Sequence, residues 1–210
     1  FGITISRFIK IWNLYKVKKA IIGFGGFAKE VYYSMISSGE EVSTFFVNDE
    51  YYKNQENVIP LSKLNIDDYQ LVIAIGDPIL RKKVVDSLPK ETKYFTHIHK
   101  SVIILSDDVV IGEGSIICSG TILTNNIKLG KHTHLNLMST VGHDATIGDF
   151  FTTAPGAKVS GNCIIGNCVY LGTNASIREK ITICDNVTIG LNSGVVKNIE
   201  LSGVYGGTPS

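Results

Sequence analysis

The sequence contains no Cys-x-x-Cys pair. Its four cysteines, Cys118, Cys163, Cys168 and Cys184, all lie in the second half without zinc-finger spacing. No metal and no disulfide framework are expected, and a reducing, cytoplasmic setting is. Neither sign of charge is in excess, with 20 Lys plus Arg against 19 Asp plus Glu. That balance gives no whole-protein field to steer nucleic acid, and no nucleic-acid partner is expected. There is no apolar run of twenty residues to span a bilayer and no small-residue cleavage motif of a signal peptide. The first residue is not Met. Residues 1–17 are apolar but interrupted by Arg7, Lys10 and Lys16. They read as an atypical leader: a short helix, an appended remnant or a membrane-surface anchor. Membrane association is not expected.

What is present divides in two. A length of 210 residues allows one large domain or two modest ones. Residues 18–98 read as a Rossmann-like α/β domain and 99–210 as a parallel β-helix. In the first part, Ala20 to Phe24 is a short strand, and Gly23, Gly25 and Gly26 form a tight turn. Phe27 to Ser37 has helical spacing, and Glu41 to Val47 is the next strand. The turn fits the first two positions of a dinucleotide fingerprint, with Ala28 at the close-packing place. Its backbone N–H groups suit a phosphate. A plain tight turn in an α/β unit is the alternative. Leu71 to Ile75 is a further strand, and Ile79 to Leu88 a helix carrying Arg81, Lys82 and Lys83. Those charges face either a nucleotide diphosphate or water. Room for only three or four strands argues against a complete NAD domain.

The second part has a period of six. Leu105, Ile111, Ile117, Leu123, Leu129, Leu135, Val141, Ile147, Thr153, Val159, Ile165, Leu171, Ile177, Ile183, Ile189 and Val195 follow one another without a break. Fifteen of the sixteen are aliphatic, and the next residue is often glycine. The fifth position is small: Ser115, Thr121, Ala145, Ala157, Cys163 and Ala175 are examples. No helix buries every sixth residue, but a solenoid of three six-residue sides does. About five eighteen-residue coils are expected, with aliphatic ladders inside, small residues beside them and glycines turning the corners. Flat outer faces invite cyclic packing of copies.

Within this frame the stretch LNLMSTVGHDATIGD places Val141 inward and His143 two positions on, near an outer face. Gly161 is one coil later and should stack beside His143. Asn136 is seven residues earlier, just over one side away. A histidine base, a backbone N–H and a polar side chain suit acyl transfer. Asp144 would orient the imidazole, but adjacent strand residues point apart, so the contact needs a corner. The alternative is a solvent-facing His-Asp at a turn.

The motifs IIGFGGFAKE, AIGDPILRKK, HIHKSV, LNLMSTVGHDATIGDF, APGAKVSGNCIIG, LGTNASI and GVYGGTPS occur in this order. In that order they resemble the bacterial nucleotide-sugar acetyltransferases of the sialic acid O-acetyltransferase and PglD type. The resemblance covers Lys18 to Ser210. It implies a left-handed helix and a homotrimer with sites between subunits. It also implies direct N-acetylation of a nucleotide-linked amino-sugar at its 4-amino group, with acetyl-CoA as cosubstrate. His143 is the implied base, supported by Asp144 where relatives commonly carry Glu. Gly161 offers its N–H to the thioester oxygen, and Asn136 touches the acceptor or the histidine. The implied nucleotide-sugar contacts are Gly23, Gly25, Asn48, Asp49, Gly76 and Lys82, with Asn48 replacing an Asp. Acetyl-CoA would lie near Thr152, Ala154, Gly172, Ala175, Lys197 and Gly207-Thr208-Pro209, with Thr152 where some relatives carry histidine. Relatives continue past Pro209, so an ending at Ser210 is short of the usual one. Cys163 and Cys168 are not expected nucleophiles.

Three rivals remain at this level. Sugar O-acetylation of the sialic acid type would use the same base on a hydroxyl, and turnover on the two acceptor classes separates it. A metal-dependent hydratase resembling the gamma carbonic anhydrases would use His132, His134 and His143, but their spacing does not match that family. A non-catalytic solenoid scaffold would tolerate loss of His143.

Overall fold

The computed structural model describes residues 17–207. The leader at 1–16 and the predicted contacts Thr208 and Pro209 lie outside the described residues. The first domain is built on five parallel strands, one or two more than expected. They are β1 (Lys18–Ile22), β2 (Thr44–Val47), β3 (Val58–Pro60), β4 (Tyr69–Ile73) and β5 (Lys93–Tyr94), in the order β3-β2-β1-β4-β5. β3 and β5 are too short and mixed to stand out in the sequence. Helix α1 (Gly26–Ser37) buries Ala28, Val31 and Met35, and α2 (Pro78–Ser87) buries Pro78, Arg81 and Val84. Asp77 caps α2, its Oδ1 accepting from the Leu80 N–H at 2.8 Å, and Pro78 sits at the first turn.

His97–Ile98 already belongs to the second domain, a left-handed parallel β-helix of three faces. The first face has seven strands running from His97–Ile98 to Gly203–Tyr205, the second six from Ile103–Ile104 to Gly194–Val195, and the third five from Val110–Ile111 to Thr182–Ile183. Successive coils pair eighteen residues apart, as Val141 with Val159. The ladder residues Leu123, Leu135, Val141, Leu171, Ile177 and Ile189 are each at most 1% exposed. Each such burial contributes roughly 1.5–3 kcal/mol.

Two expectations need correction. The period does break, because Ile104, not Leu105, pairs with Leu123, and Ile98 pairs with Ile117. An extra residue enters the turn before Ile111, and Leu105 is left 66% exposed. Three successive aliphatics, Ile103-Ile104-Leu105, hide that shift in the sequence. Nor do the glycines after the ladder positions turn the corners. The left-handed residue stands two places later, as at Asn126 (φ 50°), Asp144 (φ 61°), Asn162 (φ 58°) and Asn174 (φ 55°). The post-ladder glycines are needed for stacking. A Cβ on Gly142 would lie 2.7 Å from the Gly161 N of the next coil.

The polar ladder residue, Thr153, is explained by its neighbours. Its Oγ1 accepts from the Asn136 N–H and bonds Ser139 Oγ, both at 2.8 Å. A valine there would leave the half-buried Asn136 backbone amide without that partner.

Candidate active site

His143, Asp144 and Gly161 meet at the corner between the second and third faces. The left-handed backbone at Asp144 supplies the bend that an extended strand lacks, so the two neighbouring side chains converge. His143 Nδ1 donates to Asp144 Oδ2 at 2.7 Å. Asp144 Oδ1 accepts from Asn126 Nδ2, also at 2.7 Å. These bonds to His143 and Asn126 hold the Asp144 carboxyl below the ordinary carboxylate range. An ionised carboxylate only accepts, so Nδ1 carries a proton, and Nε2 has no hydrogen-bond partner among the described residues. The ring lies over Gly161. A methyl built there would be 2.7 Å from Nε2 and 2.8 Å from Cε1. Asn126 was not anticipated, although stepping one coil back from Asp144 finds it.

The same arithmetic sorts the other predicted residues. Lys197 is exposed on the His143 corner, three coils on, or about 14 Å along the axis at ~4.8 Å per strand. Asn136, Ala154 and Gly172 form a column on the corner between the first and second faces, where Asn136 Oδ1 accepts from the Leu137 N–H at 2.7 Å. One chain therefore holds the base and Asn136 on two different corners. Gly172 is confined by stacking, since a Cβ would meet Leu191 N at 2.6 Å. Gly207 closes the last coil, its N–H donating to Ser193 Oγ at 3.1 Å. Two expected groove contacts are covered instead, one inside the β-helix and one beneath the first domain. Ala175 is fully buried as the small residue beside the ladder. Thr152 is 4% exposed, and its Oγ1 accepts from Arg81 Nη2 at 2.7 Å.

A cleft of about 640 Å³ opens at the glycine turn of the first domain. Gly23, Gly25, Asn48 and Gly76 line it, with Tyr51 and Lys53 at its side. Gly23 has φ 113° and no room for a side chain, as a Cβ would sit 3.1 Å from the Ala74 carbonyl oxygen. Asp49 and Lys82 are not among the cleft residues. Asp49 Oδ1 accepts from the Ser62 N–H at 3.1 Å, and Lys82 pairs with Asp86 at 2.6 Å on the outer surface of α2. A smaller cavity of about 340 Å³ joins the domains, bounded by Phe27, Glu30 and Gly76 on one side and His134, Asn136 and Thr152 on the other.

The remaining histidines do not gather around His143. His132 lies between Tyr94, met edge to face at a centroid distance of 4.6 Å, and Phe150, stacked at 5.1 Å. His134 Nδ1 accepts from Arg81 Nη1 at 3.1 Å. Among the described residues no group of three metal-ligating side chains is close enough to hold an ion. Burial pushes the Cys118 thiol up to about 12 and also raises that of Cys163, so neither is an activated nucleophile.

The buried histidines set a pH dependence. Burial, with Arg81 nearby, pushes His132 down to about 4 and His134 well below its ordinary value. Unfolded histidines titrate near 6.5, so between that pH and about 4 the unfolded chain binds more protons. Stability is therefore present above pH 6.5 and lost as pH falls. For His132 alone the loss is on the order of 3 kcal/mol. The thermal midpoint is expected to drop between pH 7 and pH 4.5, and His132→Phe, which keeps a ring between Tyr94 and Phe150, to flatten that drop. A midpoint that stays level in the parent protein would contradict this.

The architecture is thus a hexapeptide-repeat left-handed β-helix behind a Rossmann-like domain. The sequence model of the PglD N-terminal domain matches residues 18–88. WeeI from Acinetobacter baumannii AYE is 32% identical, with 87% of this chain and 92% of that one covered at a TM-score of 0.78. A perosamine N-acetyltransferase from Caulobacter crescentus, solved with CoA and GDP-perosamine, is 25% identical at a TM-score of 0.83, with 90% and 93% covered. A GDP-perosamine N-acetyltransferase from Escherichia coli O157:H7 is 34% identical over 110 residues, 52% of this chain and 49% of that protein. The chain spans about half the length, or less, of such curated relatives. With WeeI it belongs to the family of hexapeptide-repeat, left-handed β-helix proteins that carry a PglD N-terminal domain. Among the described residues no helix is long and apolar enough to cross a membrane.

Proposed function

We propose that this chain transfers the acetyl group of acetyl-CoA to the 4-amino group of a nucleotide-linked amino-sugar. The observation that carries this reading is the bare Nε2 of His143, oriented through Nδ1 by Asp144 at 2.7 Å and held above Gly161. A phosphate-friendly cleft in the same chain and the CoA and GDP-perosamine bound by the Caulobacter enzyme support it.

In this mechanism the neutral amine attacks the thioester carbonyl directly. Nε2 of His143 takes the surplus proton, and Asp144 stabilises the imidazolium formed. The Gly161 N–H, which meets no acceptor within the described chain, faces the charge developing on the carbonyl oxygen. CoA leaves as a thiolate that is then protonated, and no acyl-enzyme forms. Because His143 and Asn136 occupy different corners, the complete site takes its base from one copy and its acceptor end from the next. A cyclic homotrimer satisfies that requirement, with acetyl-CoA in the groove between adjacent β-helices near Ala154, Gly172, Lys197 and Gly207. Gly23, Gly25, Asn48 and Gly76 hold the nucleotide. The cytoplasm, where acetyl-CoA is available, is the proposed location.

The test is a screen of UDP-, dTDP- and GDP-linked 4-amino-sugars with acetyl-CoA, following thiol release, with sialic acid as the hydroxyl acceptor. Turnover on at least one amino-sugar is expected. Turnover on the hydroxyl acceptor alone, or on none, would overturn the reading.

A further inference from the structure

Arg81 is fully buried, yet no carboxylate is among its hydrogen-bond partners. Its Nη1 donates to the Ile75 carbonyl at 2.6 Å and more weakly to Gly76 at 3.3 Å. Its Nε donates to the His132 carbonyl at 3.0 Å, and Nη2 to the Phe150 carbonyl at 2.9 Å and to Thr152 Oγ1 at 2.7 Å. Burial lowers its pKa to about 9, so the guanidinium keeps its charge at neutral pH. Removing a cation from water without a counter-ion costs several kcal/mol before its hydrogen bonds offset it. Apolar packing would fasten two domains without that cost. What apolar packing cannot do is fix carbonyl groups of two bodies in one rigid plane, as a guanidinium fork can.

The two bodies matter for the proposed reaction. One arm holds residues 75–76, the loop where Gly76 walls both the nucleotide cleft and the interdomain cavity. The other arms hold successive coils of the β-helix beside Asn136. We propose that Arg81 is a positioning residue that sets the distance between the bound nucleotide and the acceptor end of the site. This inference rests on the reading above. Arg81 touches neither substrate. It acts through the Gly76 loop, and a small error in that spacing misplaces the reacting amine.

The experiment compares Arg81→Met and Arg81→Lys with the wild type, using whichever UDP-, dTDP- or GDP-linked 4-amino-sugar the wild type acetylates. Folded protein is verified by circular dichroism and thermal midpoint. In Arg81→Met, KM for the nucleotide sugar is expected to rise at least tenfold and its kcat/KM to fall at least 30-fold, while KM for acetyl-CoA stays within threefold. Arg81→Lys, with one point charge in place of a fork, should recover part of the loss. A purely structural role would lower kcat, and with it kcat/KM for both substrates equally, and leave KM for the sugar unchanged. That result, or variants within threefold of wild type, overturns the proposal. So does failure of both variants to fold, which would make Arg81 a fold requirement only. A wild type that acetylates none of the amino-sugars instead defeats the parent reading, and this inference falls with it.

Discussion

His143→Ala is expected to lower the acetylation rate about 10²- to 10⁴-fold, the usual range for losing a general base. The fold should survive it. The side chain is 55% exposed, and its hydrogen-bond partner is the neighbouring Asp144. Truncation therefore removes no ladder contact and opens no interior cavity, so the thermal midpoint should move by only a degree or two. The loss should appear in kcat, with KM for acetyl-CoA within about threefold, because Nε2 acts on a proton released only as the amine attacks. Steady-state thiol release with both substrates varied distinguishes these quantities. Near-normal kcat in the folded variant would remove His143 from the mechanism and revive the scaffold reading.

Much of the β-helix was legible because its period is local and repeated. Every sixth side chain meets the same environment, so one rule applies from Ile111 to Val195. The rule fails at Leu105 because an aliphatic residue stands on each side of the true register, and composition cannot choose between them. The corner glycines mislead for a different reason. Gly142 and Gly172 are required by the backbone of the coil above, a contact with residues eighteen or nineteen places away. Asp144 departs from the alternation of a strand because its backbone is left-handed. Arg81 could not be separated from Lys82 and Lys83 by charge. Its spacing with Pro78 and Val84, three residues to either side, marks the inward face of α2, but only the docked β-helix supplies carbonyls for it. Thr152 reads as a groove residue because the sequence does not show that same contact.

Gly161→Ala is expected to cost roughly 100-fold in turnover with little loss of stability. Gly161 is not left-handed, so alanine suits its backbone and stiffens the unfolded chain, a gain of about 0.4–1 kcal/mol. The added methyl, however, would lie 2.7 Å from His143 Nε2 and 3.0 Å from Cδ2. That obstacle is the end of an exposed side chain, so the imidazole swings aside and the protein stays folded. Displacement of the base by an ångström or so accounts for the lost rate. Gly142→Ala makes the opposite pattern. Its methyl would meet the backbone at Gly161 N and Ser160 C, 2.7 and 2.9 Å away, and only separation of two coils relieves it. That strain should cost on the order of 1–3 kcal/mol and lower the thermal midpoint visibly. Combining Gly161→Ala with His143→Ala then separates the two functions of Gly161. If the glycine only makes room for the imidazole, the second substitution adds nothing once the ring is gone. Any further loss in the double variant measures disturbance of the Gly161 N–H as an oxyanion donor. Full turnover in Gly161→Ala would mean the ring has another productive position, and the geometry at this corner would not be the reacting one.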